Sequence, residues 1–310
     1  MRVAVTGSAG FLGREVVRTL AARGHDVTAV TRVSADISGA SRCLPVGNLL
    51  SADLVQICSD QDAIVNCAAR VHITGREDPV AAREAYDAMN VRFPVSLAVA
   101  AREEGVSRFV QISSVAAIKS LTDEGEVADD QTAPAPQTPY GQSKLAADIA
   151  LTELSSQVMP IISLRPPTIY GIGVGAFFAR LHKAARIGLP LPIGWINNRR
   201  SIAYLENVGE AIGSAVSSQL PGTYLITDSE PVSTACIYRK LLSLHKYGER
   251  VFGIPRNLAW LGARVALGDR ANSLLGNSAF SGARFASDLG WRPSYTIDAA
   301  LIRTVAGENG

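Results

Sequence analysis

The chain has 310 residues, of which 47% are hydrophobic and 19% charged; this excludes disordered and fibrous classes and suits one large α/β domain with an appended lobe, or two modest domains sharing an interface. Thirty Lys/Arg against 28 Asp/Glu leave a net charge of +2, which makes no case for nucleic acid or an anionic membrane surface as the main partner. Any basic site must be local. Cys43, Cys58, Cys67 and Cys236 lack paired spacing, no metal site is expected, and the chain enters a strand at once without a signal pattern, so they read as buried free thiols of a cytoplasmic protein.

Residues 3–13 read V-A-V-T-G-S-A-G-F-L-G, a β-branched run that breaks into glycines and continues into an amphipathic helix over 11–23. A strand, a tight glycine turn and a helix start in that order form a pyrophosphate cradle, because free backbone N–H groups and the positive helix end converge on one spot. Gly7, Gly10, Phe11, Leu12 and Gly13 make up this cradle, spaced G-x-x-G-x-x-G. Short apolar runs recur at 25–30, 43–46, 63–66, 108–113 and 161–164, with helical patterns between them, the longest over 79–104 and another over 140–156. Strands this apolar, separated by helices, predict a doubly wound (Rossmann) parallel sheet covered on both faces.

After residue 165 proline and glycine cluster at 166–167, 170–175 and 188–194 around a short helix near 177–187, a poor scaffold but a good substrate wall. A strand at 202–205, a helix over 206–218 and a strand at 222–227 read as a return to the sheet. The remainder, 231–306, is mostly helical. The apolar run 258–267 contains Arg264 and is too short to span a bilayer; it reads as a core helix, with a membrane-surface contact as the alternative. The expected division is a dinucleotide-binding domain over 1–170 that the chain rejoins at 200–227, and a smaller substrate-binding lobe from 171–199 and 228–310.

Tyr140-Gly141-Gln142-Ser143-Lys144 is Y-x-x-x-K, preceded by Pro139 at a helix start, and residues four apart share a helix face. An ammonium beside a phenol favours the phenolate, so Lys144 is placed to lower the pKa of Tyr140. The run 109–114, F-V-Q-I-S-S, is a buried strand ending in Ser113 and Ser114 at the carboxyl edge of the sheet, where ligands of open α/β sheets bind. A hydroxyl there can hold a substrate carbonyl or alkoxide.

These residues, with Asn66-Cys67-Ala68-Ala69, the P-P-T-I-Y-G-I-G of 166–173 and the closing Leu289-Gly290-Trp291, resemble the extended short-chain dehydrogenase/reductases that act on nucleotide sugars. The V-H-I near Val71 and the segment 191–208 look most like bacterial surface-polysaccharide enzymes, either UDP-hexose 4-epimerases or C4 reductases of UDP-4-keto-6-deoxy-N-acetylhexosamines. The resemblance implies Ser114, Tyr140 and Lys144 as catalytic residues; Ala68, Ala69, Lys144 and Pro167 beside the cofactor; and Ser113, Arg199 and Arg284 beside a UDP-sugar, with Arg200 competing for the role of Arg199. Ile118, Lys119 and Phe177 depart from the family pattern around the sugar pocket. Relatives also imply a homodimer built on the long helices.

An acid at the tip of the second strand would signal NAD. Here Thr31 and Arg32 stand there, which suits a 2′-phosphate, with Asn48 and Leu49 lining the adenine; NADP(H) is preferred, and Asp36 keeps NAD(H) open. The expected function is C4 ketoreduction of a nucleotide sugar. The alternatives are a 4-epimerase with tightly bound NAD and, in another class, a non-catalytic NADP-sensing regulator.

Overall fold

The computed structural model describes residues 1–71, 78–173, 176–228, 230–268 and 271–308. Its first half is built from β1 (Arg2–Thr6), α1 (Phe11–Ala22), β2 (Asp26–Thr31), β3 (Arg42–Pro45), α2 (Leu54–Cys58), β4 (Ala63–Asn66), α3 (Pro79–Asp87), α4 (Phe93–Glu103), β5 (Arg108–Ile112), α5 (Pro139–Leu154) and β6 (Ile161–Arg165). The second half adds β7 (Thr168–Tyr170), α6 (Ala176–Arg186), β8 (Ile202–Tyr204), α7 (Leu205–Ser217), β9 (Gly222–Leu225), α8 (Thr234–Leu244), α9 (Arg256–Leu267), α10 (Ala271–Leu275), α11 (Ala283–Leu289) and α12 (Ile297–Glu308).

Seven parallel strands run in the order β3-β2-β1-β4-β5-β6-β9, the doubly wound architecture. Side chains alternate across the pleat, so each strand feeds two cores. Val3 and Val5 face α1 and α7, where Val16, Leu20 and Ile212 complete one core. Ala4, Ile64 and Phe109 face the other way, against Leu97 of α4 and Leu151 of α5. A third core, around Tyr170, Tyr204, Tyr238 and Leu241, belongs to the C-terminal part of the chain. Phe285 and Trp291 fall within the span assigned to the second lobe, yet they pack on the sheet core.

Two details differ from the sequence reading. The strand at 202–205 does not enter the main sheet: β8 pairs in parallel with β7 as a separate two-stranded sheet, and the chain rejoins the main sheet through α7 and β9. The long helix of 79–104 is interrupted by a π turn over Ala88–Arg92, which brings Asn90 inside. All four cysteines are free, but only Cys58 is fully buried. Among the described residues no helix is long and apolar enough to cross a membrane.

Candidate active site

Strand register builds the floor of the site. Thr6, Asn66 and Gln111 lie side by side on β1, β4 and β5. Thr6 donates its hydroxyl proton to Asn66 Oδ1, Asn66 Nδ2 donates to Gln111 Oε1 at 2.8 Å, and Gln111 Nε2 donates to the carbonyl of Ile112 at 3.1 Å. Asn66 Oδ1 also accepts the backbone N–H of Ala68 at 3.2 Å, which fixes the Ala68–Ala69 loop at the carboxyl edge of the sheet.

The glycine turn packs directly on that loop. Gly7 has φ +68°, and a Cβ there would stand 2.7 Å from the Ala68 nitrogen; a Cβ on Gly13 would stand 2.1 Å from the Gly7 carbonyl oxygen. Only bare backbone fits. Gly10 opens α1, and among the described residues no side chain caps its first turn, so those N–H groups are left to an anion. Ser8 ties the turn to β2 by donating to the Val30 carbonyl at 2.7 Å. Leu12 is buried in the sheet core, whereas Phe11 is exposed and helps line a cavity of about 480 Å³ with Arg14, Ser38 and Ile172. The residues present fit the pyrophosphate of a dinucleotide.

At the end of β2, Thr31 is buried and its hydroxyl finds no hydrogen-bond partner among the described residues, while Arg32 is exposed. Asn48 is exposed and uses its Oδ1 to accept the Leu50 N–H at 3.1 Å, and Leu49 packs partly on the core beneath α4. Pro167 is buried just past β6.

The chemistry-bearing groups meet beside β5. Thr138 caps α5 by accepting the Gly141 N–H at 3.0 Å, and Pro139 takes the first helical position. The helix start thereby sets the Tyr140 hydroxyl beside that of Ser114. Lys144, one turn on, is buried; its Nζ donates to the Ile112 carbonyl at 2.8 Å and lies 5.9 Å from the centroid of the Tyr140 ring. Ser113 turns elsewhere, donating at 2.8 Å to Asp148, which also accepts from Arg165 Nε at 2.8 Å. Ser114, Tyr140 and Lys144 are thus brought together, and Ser113 is tied to the buried pair behind them.

A family model described as the NAD dependent epimerase/dehydratase family matches residues 3–226, spanning the cradle and this cluster. The chain belongs to that family. This epimerase/dehydratase-family enzyme is 28% identical to a UDP-glucose 4-epimerase of Vibrio cholerae, over 97% of this chain and 94% of that protein. It is 27% identical to a 3-beta-hydroxysteroid dehydrogenase of Mycolicibacterium neoaurum, over 97% of this chain and 89% of that one. Among solved structures, the UDP-glucose 4-epimerase of Thermus thermophilus in complex with NAD superposes with a TM-score of 0.77 at 26% identity, covering 100% of this chain and 99% of that chain.

Electrostatics in the family member run against one expectation. Burial pushes the Tyr140 phenol up, and the Ser114 hydroxyl opposes it only in part. Lys144 is not among the groups that shift this phenol; its own ammonium is desolvated and its pKa falls to about 8, supported in the charged form by Asp148. Burial likewise raises Asp148, opposed by Arg165 and Ser113.

The residues expected beside the sugar are dispersed. Arg199 is partly exposed, 3.9 Å from Glu230, whereas Arg200 is buried and donates to the Gly276 carbonyl at 3.1 Å. Arg284 lies over the Tyr224 ring at 4.5 Å and 3.5 Å from Asp288, flanking the start of β9 instead of its carboxyl tip. Ile118 is fully buried and Lys119 is held by Glu126 at 2.8 Å. His72 and Ile73 of the V-H-I motif lie outside the described residues, as does the side chain of Phe177.

The sequence reading missed Asn90. Its Oδ1 accepts the Arg70 N–H at 2.8 Å and its Nδ2 donates to the Arg70 carbonyl and to Ser143 Oγ, both at 3.0 Å, while Ser143 donates to the Tyr140 carbonyl. Asn90 therefore joins the loop after β4 to the helix carrying Tyr140. The available signal was a lone amide inside an apolar helical pattern four residues before Pro94. Tyr86, edge-on to Tyr140 at 6.2 Å between centroids, is a second wall residue that went unpredicted.

Proposed function

We propose that this enzyme reduces the C4 ketone of a nucleotide sugar, a UDP-4-keto-6-deoxy-N-acetylhexosamine, for surface polysaccharide synthesis, with NADPH as reductant. One observation carries the reading: desolvation raises the pKa of the half-buried Tyr140 phenol beside Ser114, so it rests protonated, as a proton donor. A ketoreductase begins from that state, whereas an epimerase must first take a proton from an alcohol. Arg32 after β2, with no carboxylate at the strand tip, favours the 2′-phosphate of NADP(H) over NAD(H).

When bound, the nicotinamide supplies the hydride. Tyr140 gives its proton to the ketone oxygen as that oxygen gains charge, and Ser114 holds the same oxygen by hydrogen bonding. Lys144 then stabilises the phenolate left on Tyr140, with the Ile112 carbonyl fixing its ammonium. Arg199 is assigned to the diphosphate as a bidentate cation. A homodimer formed by the helices of 79–104 and 140–157, working in the cytoplasm, belongs to the same reading.

A second reading, a UDP-hexose 4-epimerase with retained NAD, is favoured by the likeness to the Vibrio cholerae enzyme over nearly the whole chain. The deciding experiment is incubation with UDP-4-keto-6-deoxy-GlcNAc and NADPH, with the product identified by NMR. Stoichiometric NADPH consumption with formation of the C4 alcohol is expected. No consumption, together with interconversion of UDP-GlcNAc and UDP-GalNAc, would establish the epimerase; neither reaction, with NADPH still bound, would leave the sensing regulator.

A further inference from the structure

Helix α9 meets the core-helix expectation on one face only. Leu258, Leu261 and Val265 recur at i, i+3 and i+7, which places them on one face, and that face is turned to solvent, with Leu261 62% and Val265 83% exposed. The opposite face, through Ala259, Trp260 and Ala263, packs on the C-terminal core. The apolar surface continues past the helix. Phe252 is half exposed, and Trp195, 64% exposed, lies flat on the next residue: a Cβ at Gly253 would fall 2.1 Å from its indole nitrogen. Ile187 and Leu189, both exposed, lie beside the segment that leads into the helix, where Arg250 donates to the intervening Gly188 carbonyl at 3.0 Å and covers the Tyr247 ring at 4.8 Å.

The charge around this surface is one-sided. Residues 176–199 and 232–268, which build it, carry ten Lys/Arg and a single acid, Glu249, whereas the whole chain has 30 against 28; from outside these spans Glu230 faces Arg199 and Asp298 pairs with Lys240, which leaves the cationic excess on the remaining side chains. The rest of the molecule is left with an acidic excess. Lys183, Arg186, Lys246, Arg250 and Arg264 are all exposed, and Glu249 is engaged by Arg239 at 3.1 Å.

We propose that this side of the C-terminal lobe docks on a bilayer surface rich in anionic phospholipid, with the Leu258–Leu261–Val265 face and Trp195 entering the headgroup layer. Large apolar side chains on one helix face, an exposed indole and an excess of exposed cations in the same segments are what an interfacial contact requires, and anionic headgroups supply the complementary charge. A two-fold contact with a second copy would set this cationic surface against itself, which opposes self-association through it. The inference stands independently of the sugar-redox reading.

The test is co-sedimentation of the full chain with vesicles of phosphatidylcholine alone and of phosphatidylcholine with phosphatidylglycerol, at low and high salt. Retention on the anionic vesicles about tenfold above the neutral ones, falling with salt, is expected. The double variant Leu261→Asp/Val265→Asp and the double variant Lys246→Glu/Arg264→Glu should each lose about tenfold of that retention at an unchanged melting temperature, since all four side chains are exposed. No retention on anionic vesicles, or equal retention on both kinds, would overturn the proposal. So would variants that bind vesicles like the parent but change the oligomeric state seen by light scattering, which would assign the face to a second copy.

Discussion

The sheet half and the C-terminal lobe position their groups by different means. In the sheet half, backbone meets backbone: Gly13 lets α1 close on the Gly7 carbonyl, Gly7 closes on Ala68, and strand register alone aligns Thr6, Asn66 and Gln111. In the lobe, side chains do the joining. The Asn198 amide donates to Thr234 Oγ1 at 3.0 Å and to the Leu274 and Gly276 carbonyls at 3.1 Å, and Tyr170 meets Phe178 and Tyr204 through tilted ring contacts of 5.1 and 5.5 Å. Where backbone forms the wall, one residue type at one spacing is required. Where side chains make the join, many combinations serve.

The largest break is chemical and lies wholly in the sheet half. Tyr140→Phe keeps the ring against Tyr86 and removes only the hydroxyl beside Ser114, so turnover should fall by about 10²–10⁴ while the melting temperature and dinucleotide affinity stay unchanged. Steady-state rates and a fluorescence titration measure both. An unimpaired variant would remove Tyr140 from the chemistry.

Next comes the ion pair behind the lysine. Asp148→Asn leaves Arg165 buried without its counter-charge, a loss on the order of 3 kcal/mol in a denaturant titration. It also has an effect that packing alone would not produce. Lys144 titrates near 8, so activity that needs its charge is present below that pH and is lost as pH rises through it. Asp148 supports that charge, so without it the alkaline limb should move to lower pH. A stability loss with an unmoved limb would make Asp148 purely structural.

Gly13→Ala tests backbone closeness itself. The new Cβ would meet the Gly7 oxygen at 2.1 Å, a contact no rotamer can relieve, so a loss of about 1–3 kcal/mol and impaired dinucleotide binding are expected from thermal melts and titration. A neutral result would show that the turn yields, and the two halves would no longer differ in kind.

The same division explains what could be read from the sequence. The strands of the main sheet were legible because fully buried parallel strands are continuous apolar runs, and the cradle because glycine has no substitute where backbone touches backbone. The Y-x-x-x-K spacing was legible because one helical turn fixes which residues share a face. Features that depend on a distant partner were not. Nothing in I-A-Y at 202–204 says that it pairs with T-I-Y at 168–170, and Ser113 is indistinguishable from Ser114 until Asp148 and Arg165 are seen behind it. The expected fall in the Tyr140 pKa failed for the same reason: spacing brought Lys144 near, but burial of both groups outweighed the proximity.

The smallest effect asks whether glycine in the lobe has the same meaning. Gly262 lies within α9, and a Cβ there would meet nothing within 4 Å. Gly262→Ala should therefore stabilise the helix by about 0.5–1 kcal/mol, because alanine loses less backbone freedom on folding and adds no clash. Exposed helices open locally, so the sensitive readout is slower hydrogen exchange of the α9 amides, with little change in the global melt. The substitution that damages the cradle would then strengthen the lobe. Faster exchange in the variant would mean that the open side of α9 is covered in solution by another chain, and the contrast between a backbone wall and an unoccupied helix face would have to be redrawn.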